Sequence, residues 1–113
     1  GIEAGAPGGD LAEQIPESYS LNHNFPNPFN PETQISFGLP EPSTVSITIR
    51  DLSGRTVLTL LNEHLPAGYH RRTWNGIDEG GNQVSSGVYF CQIRANGDSG
   101  NHFTKVMKMA LLK

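Results

Sequence analysis

The chain has 113 residues, the size of one domain, which at this length buries roughly two-thirds of its unfolded surface. Its 35% hydrophobic content is interspersed with 13 glycines and 8 prolines, which favours short strands joined by tight turns over long helices. The formal charge of −3 gives no footprint for nucleic acid or an anionic membrane, and no apolar run approaches the ~20 residues that span a bilayer.

In chain order, Gly1 to Gly9 are rich in Gly, Ala and Pro and carry only Ile2 as a sizeable apolar side chain, so they read as linker. Asp10 to Ile15 allows one Asp-capped helical turn, which Pro16 stops. Residues 1–15 are therefore expected to be linker and 16–113 the domain. No charged start followed by an apolar stretch marks a secretory leader, and the opening is what a piece cut from a longer protein would show. Ser18 to Leu21 reads as a short strand. In Asn24 to Pro31 three prolines fix φ, and the segment is expected to form a stiff turn that tucks Phe25 or Phe29 against a sheet end.

Alternation then becomes clear, with Ile35, Phe37 and Leu39 on one face of a strand and, past the Pro40–Pro42 turn, Val45, Ile47 and Ile49 on one face of the next. Asp51-Leu52-Ser53-Gly54 predicts the turn of a hairpin whose second arm runs from Arg55 to Leu61 and is less regular. After Pro66-Ala67-Gly68, residues Tyr69 to Trp74 point His70, Arg72 and Trp74 one way, with Trp74 in the core. Asn75 to Ser86 has loop composition. Gly87 to Ala95 is near-continuously apolar and predicts a central strand buried on both faces. Asn96 to Asn101 is the last turn and Phe103 to Leu112 the closing strand. The sum is an all-β chain of about seven strands at short, even spacing, the pattern of an immunoglobulin-like antiparallel β-sandwich. Its expected core is Ile35, Phe37, Val45, Ile47, Ile49, Val57, Trp74, Val88, Phe90, Ile93 and Met107.

The residues that carry chemistry elsewhere are scattered here. His23, His64, His70 and His102 form no close ligand pair of the kind zinc requires. One cysteine, Cys91, makes no internal disulfide and lies in an apolar strand, where a thiolate is disfavoured. No nucleophile elbow, zinc-protease helix or phosphate-cradling loop occurs, so no catalytic residue, metal or cofactor is assigned. Asp78, Glu79 and Asn82, or Asn96, Asp98 and Asn101, have oxygens for calcium but match no twelve-residue calcium loop and read as solvated turns. Tyr19, Tyr69, Tyr89 and Trp74 are a sugar-stacking set in composition, but Trp74 and Tyr89 sit in strands expected to be buried. There is no Asn-x-Ser/Thr acceptor.

Taken in order, Pro16-Glu17-Ser18-Tyr19-Ser20-Leu21, the run from Asn24 to Thr33 with Asn27-Pro28-Phe29-Asn30-Pro31 at its centre, Asp51-Leu52-Ser53-Gly54-Arg55, Gly68-Tyr69-His70, Trp74-Asn75-Gly76, Ser86-Gly87-Val88-Tyr89-Phe90 and Lys108-Met109 resemble the type A carboxy-terminal sorting domain of the type IX secretion system. The same blocks are similar to the immunoglobulin-like domain of the flagellar hook-capping protein, a class also found on extracellular bacterial enzymes. Placement of Lys108 to Lys113 at the end of the chain favours the sorting alternative. The resemblance implies a non-catalytic tail that takes an upstream cargo domain across the outer membrane to the cell surface, with the translocon and, where cleavage occurs, a sortase as partners. Neither nucleic acid nor membrane insertion is implied, and any cleavage is expected between Gly1 and Ile15.

The other reading is a generic accessory domain that spaces a neighbouring extracellular enzyme or binds its polysaccharide. Within the sorting reading, Lys108, Met109, Leu111 and Lys113 are the expected recognition residues, beside an exposed edge of the closing strand. One departure from the family pattern is Arg72, where an apolar residue is usual; either its strand lies at an edge or its side chain snorkels.

Overall fold

A computed structural model describes residues 14–113. Of the linker and capped turn assigned to residues 1–15, only Gln14 and Ile15 fall within the described residues, and these two are not helical. Seven strands follow in order: β1 (Ser20–Leu21), β2 (Thr33–Leu39), β3 (Ser43–Arg50), β4 (Thr56–Leu65), β5 (Gly68–Trp74), β6 (Gly87–Gly97) and β7 (His102–Leu111). They form two antiparallel sheets, one of order β1-β2-β5 and one of order β4-β3-β6-β7, and no helix is present among the described residues. The immunoglobulin-like sandwich read from the sequence is the observed fold.

Alternation sets which side chains meet between the sheets. Ile35, Phe37 and Leu39 of β2 face Val45, Ile47 and Ile49 of β3, all essentially without solvent contact. The Asp51–Gly54 turn closes the β3–β4 hairpin through a bond from Gly54 N to Asp51 O at 2.9 Å. Asp51 Oδ1 also accepts from the Ser53 hydroxyl at 2.7 Å and from Ser53 N and Arg55 N at 3.0 Å each. The irregular second arm is a finding too: the pairing of β3 with β4 slips between Ile47 and Thr48 and again between Ile49 and Arg50. β4 nonetheless continues to Leu65, beyond the expected end at Leu61.

Three expectations need correction. Val88 and Phe90 are only half-buried, while Tyr89, Cys91, Ile93 and Ala95 fill the core. β6 is central within its sheet, but the second sheet covers only one of its faces, so the even-numbered side chains point outward. The first strand is shorter than read, two residues from Ser20, because its pairing stops at Ser20↔Gly38 and Leu21↔Phe37. The edge of the closing strand is not open along its whole length, as described below. Arg72 fits both of its alternatives: β5 is an edge strand, and the half-buried side chain carries its guanidinium out to Glu63 at 3.9 Å and to Arg71 O at 2.8 Å.

Candidate recognition site

The motif residues scattered along the sequence gather at one end of the sandwich, where β2 and β6 begin and β5 and β7 finish. Phe29 is 2% exposed. Its ring lies 5.5 Å from Trp74 at a 56° tilt, and Trp74 meets Tyr89 edge-on at 5.4 Å. Each polar aromatic atom has a partner: Trp74 Nε1 donates to Ile77 O at 2.9 Å and the Tyr89 hydroxyl to Ser85 O at 2.6 Å. Phe25, the other ring offered by the segment, is 78% exposed. Proline restricts the segment so that few conformations are lost when Phe29 docks.

The same segment acts as a strand against the end of the chain. Phe29 N donates to Ala110 O at 3.0 Å, Leu112 N to Phe29 O at 2.9 Å, and Ala110 N to the side-chain oxygen of Asn27 at 3.0 Å. Lys113 N is held in turn by the Ser86 hydroxyl at 2.9 Å. Gly76 has φ +73°, and a Cβ there would stand 3.4 Å from Pro31 O and 3.6 Å from Leu111 Cδ2, so the loop after Trp74 passes close under both. Behind the turn, Asn24 Nδ2 donates to the buried Thr33 hydroxyl at 3.1 Å, which donates to Pro26 O at 2.8 Å. Gly54 stands at the same end, in the β3–β4 turn, whose Asp51 to Ser53 line a hollow together with Ser85 to Tyr89; Gly87 opens β6 opposite Leu111, while Asn30 and Pro31 are exposed.

Of the four residues expected to carry recognition, Lys108 and Lys113 are solvated, whereas Met109 and Leu111 are fully buried and hold β7 in place. The edge beside Ala110 and Leu112 is filled by Asn27 to Phe29, which sequence reading missed because the contact joins positions some eighty residues apart. From Thr104 to Lys108 no further strand lies beside β7 among the described residues. Lys105 reaches across the gap between sheets to Leu21 O at 3.2 Å.

The other groups weighed from the sequence are occupied locally. Asp78 Oδ1 accepts from Gly80 N and Asn82 N, Glu79 from Thr59 N, and Asp98 pairs with His64 at 3.1 Å. His70 bonds Pro66 O and stacks on Phe37, and His102 bonds Asn96. No group of three or more His, Cys, Asp or Glu is gathered for a metal among the described residues. Burial pushes the Cys91 thiol up to about 12, so it stays protonated at neutral pH. Tyr19 is stacked on Phe103 and Trp74 and Tyr89 are inside, which leaves Tyr69 as the one exposed member of the sugar-stacking set. Among the described residues there is no helix long and apolar enough to cross a membrane.

Comparison with solved structures returns the same sandwich in larger proteins. PorU from Porphyromonas gingivalis, solved as a dimeric latent form, superposes with a TM-score of 0.69 at 18% identity over 88% of this chain and 10% of its own. FlgD from P. aeruginosa gives 0.56 at 23% identity over 70% of this chain and 61% of its own. PorZ from P. gingivalis gives 0.50 at 22% identity over 83% of this chain and 12% of its own. The chain thus spans less than two-thirds of each, and at such identities the likeness speaks to fold. No curated protein matches the chain. The family model for the FlgD Ig-like domain matches residues 23–99, most of the described sandwich, and the chain belongs to that family.

Proposed function

We propose that this domain is a non-catalytic sorting and anchoring module: a folded tail that directs an upstream cargo domain across the outer membrane by type IX secretion and to the cell surface. The observation that carries the reading is the joining of two sequence blocks, Asn27 to Phe29 and Lys108-Met109 with the residues after it, into one hydrogen-bonded unit. A recognition segment is dependable only if it is presented in one conformation, and this clamp holds the segment in one. PorZ, an essential bacterial surface component of the type IX system, has a related sandwich over 12% of its chain, which supports the setting. Recognition then rests on the solvated Lys108 and Lys113 and on the main-chain groups of the uncovered β7 edge, which can pair with a partner's strand.

The family match is equally compatible with a second reading: an immunoglobulin-like accessory domain that spaces an extracellular enzyme or binds its polysaccharide. Fusing the 113-residue chain behind an exported reporter, in a type IX-competent host and in a translocon-deficient sibling, separates the two. Surface display in the competent host alone is the expected result. Retention of the reporter in the periplasm of both strains would favour the accessory role.

A further inference from the structure

The outward face of the four-stranded sheet has a charge pattern that the net charge conceals. Residues 14–113 contain as many acidic as basic side chains, yet no carboxylate occupies an outward position on β3, β6 or β7. The acids lie in loops and turns, apart from Glu63, which faces Arg72 of the other sheet. Strand register aligns Arg50, Phe90 and Lys108 in one row across β3, β6 and β7, with Thr48, Gln92 and Val106 in the next row and Arg94 in the row beyond. At ordinary sheet spacings Arg50 and Lys108 have backbones about 10 Å apart, with Arg94 about 13 Å along from Phe90. Arg94 and Lys108 are exposed and make no ion pair among the described residues. Arg50 is oriented by Gln92 Oε1 at 3.5 Å, Gly54 O at 3.3 Å and the Thr56 hydroxyl at 2.9 Å.

We propose that this face binds an extended anionic polysaccharide, a role beyond the sorting function that shares Lys108 with it and is separated from it by Arg94. Unopposed cations on a flat surface attract a polyanion. What selects a glycan over a nucleic acid is the sparseness of the cations together with what lies between them. Three charges over such an area fall far short of the phosphate density of a duplex, one per about 1.7 Å of axis. Amide and hydroxyl groups at Gln92 and Thr48 match sugar hydroxyls, and the half-buried Phe90 ring offers an apolar surface of the kind a sugar face covers.

Binding of the 113-residue chain to polygalacturonate at low salt, with dextran as the neutral control and single-stranded DNA as competitor, tests this. Polygalacturonate should bind and dextran should not, with affinity falling as salt rises. Arg94→Glu and Lys108→Glu should each weaken binding at least about fivefold, while Arg71→Glu, an equal charge change on the opposite sheet, should weaken it less than about twofold. Both target side chains are exposed, and unchanged melting of each variant identifies the loss as one of binding. No binding, an equal loss in Arg71→Glu, or tighter binding to DNA than to polygalacturonate would overturn the proposal.

Discussion

The two ends of the sandwich are closed by different chemistry. At one, Phe29, Trp74 and Tyr89 pack as a buried aromatic group, and backbone bonds from Asn27 to Phe29 finish the edge of β7. At the other, a carboxylate gathers the loops: Glu41 accepts from Ser99 N at 2.9 Å, the Ser99 hydroxyl at 2.8 Å, Asn101 Nδ2 at 2.9 Å and, at 3.4 Å, Tyr19. Tyr19 also shares a hydrogen bond with Ser43 and stacks on Phe103, so this knot ties β1, the β2–β3 turn and the β6–β7 turn together. The aromatic end removes large apolar surfaces from water. The polar end trades hydrogen bonds with water for internal ones, a smaller net gain.

That contrast orders the expected effects of mutation. Phe29→Ala should destabilise most, by about 3–5 kcal/mol in urea unfolding, since it empties a closed aromatic site. Gly97→Ala should cost about 1–3 kcal/mol, because the added methyl would collide with Glu41 and Tyr19 and force the polar knot apart. Glu41→Gln makes the smallest change and one that depends on pH. The Ser99 hydroxyl foremost, then Asn101 and the Ser99 amide, hold the Glu41 carboxyl below its ordinary 4.5. A carboxyl lowered by folding stabilises above its unfolded pKa and loses that contribution as pH falls through the folded value. The parent should therefore exceed the variant in melting temperature at neutral pH, with the gap closing as pH drops below about 4.5. A gap that persisted at pH 2 would mean that the knot does not depend on the charge.

The aromatic end was largely legible because prolines announce a restricted segment, and a ring beside them has few places to go; what Phe29 docks against was not legible. β6 shows a different failure. Val88 to Cys91 is apolar at every position, which hides the phase, although Gln92 and Arg94 already mark the even positions as outward. Extending that alternation backward would have put Val88 and Phe90 on the surface. Glu41 carried no readable signal, since its partners at positions 19, 99 and 101 meet only after the sheets have formed. Within the candidate site, alternation along β7 places Met109 and Leu111 on the buried face and Lys108 outside, but it carries no sign of the pairing that fills the edge past Lys108.

The central claim is that the domain is recognised as a folded tail through its closing strand. The most direct measurement is surface delivery of a reporter fused to the chain carrying Lys108→Glu and Lys113→Glu, beside the unaltered fusion in the same type IX-competent host. Because both lysines are exposed, the double variant should unfold within about 1 kcal/mol of the parent. With folding intact, its delivery should fall well below that of the unaltered fusion. Delivery at the parent rate by the normally folded variant would contradict the recognition role given to this strand's lysines.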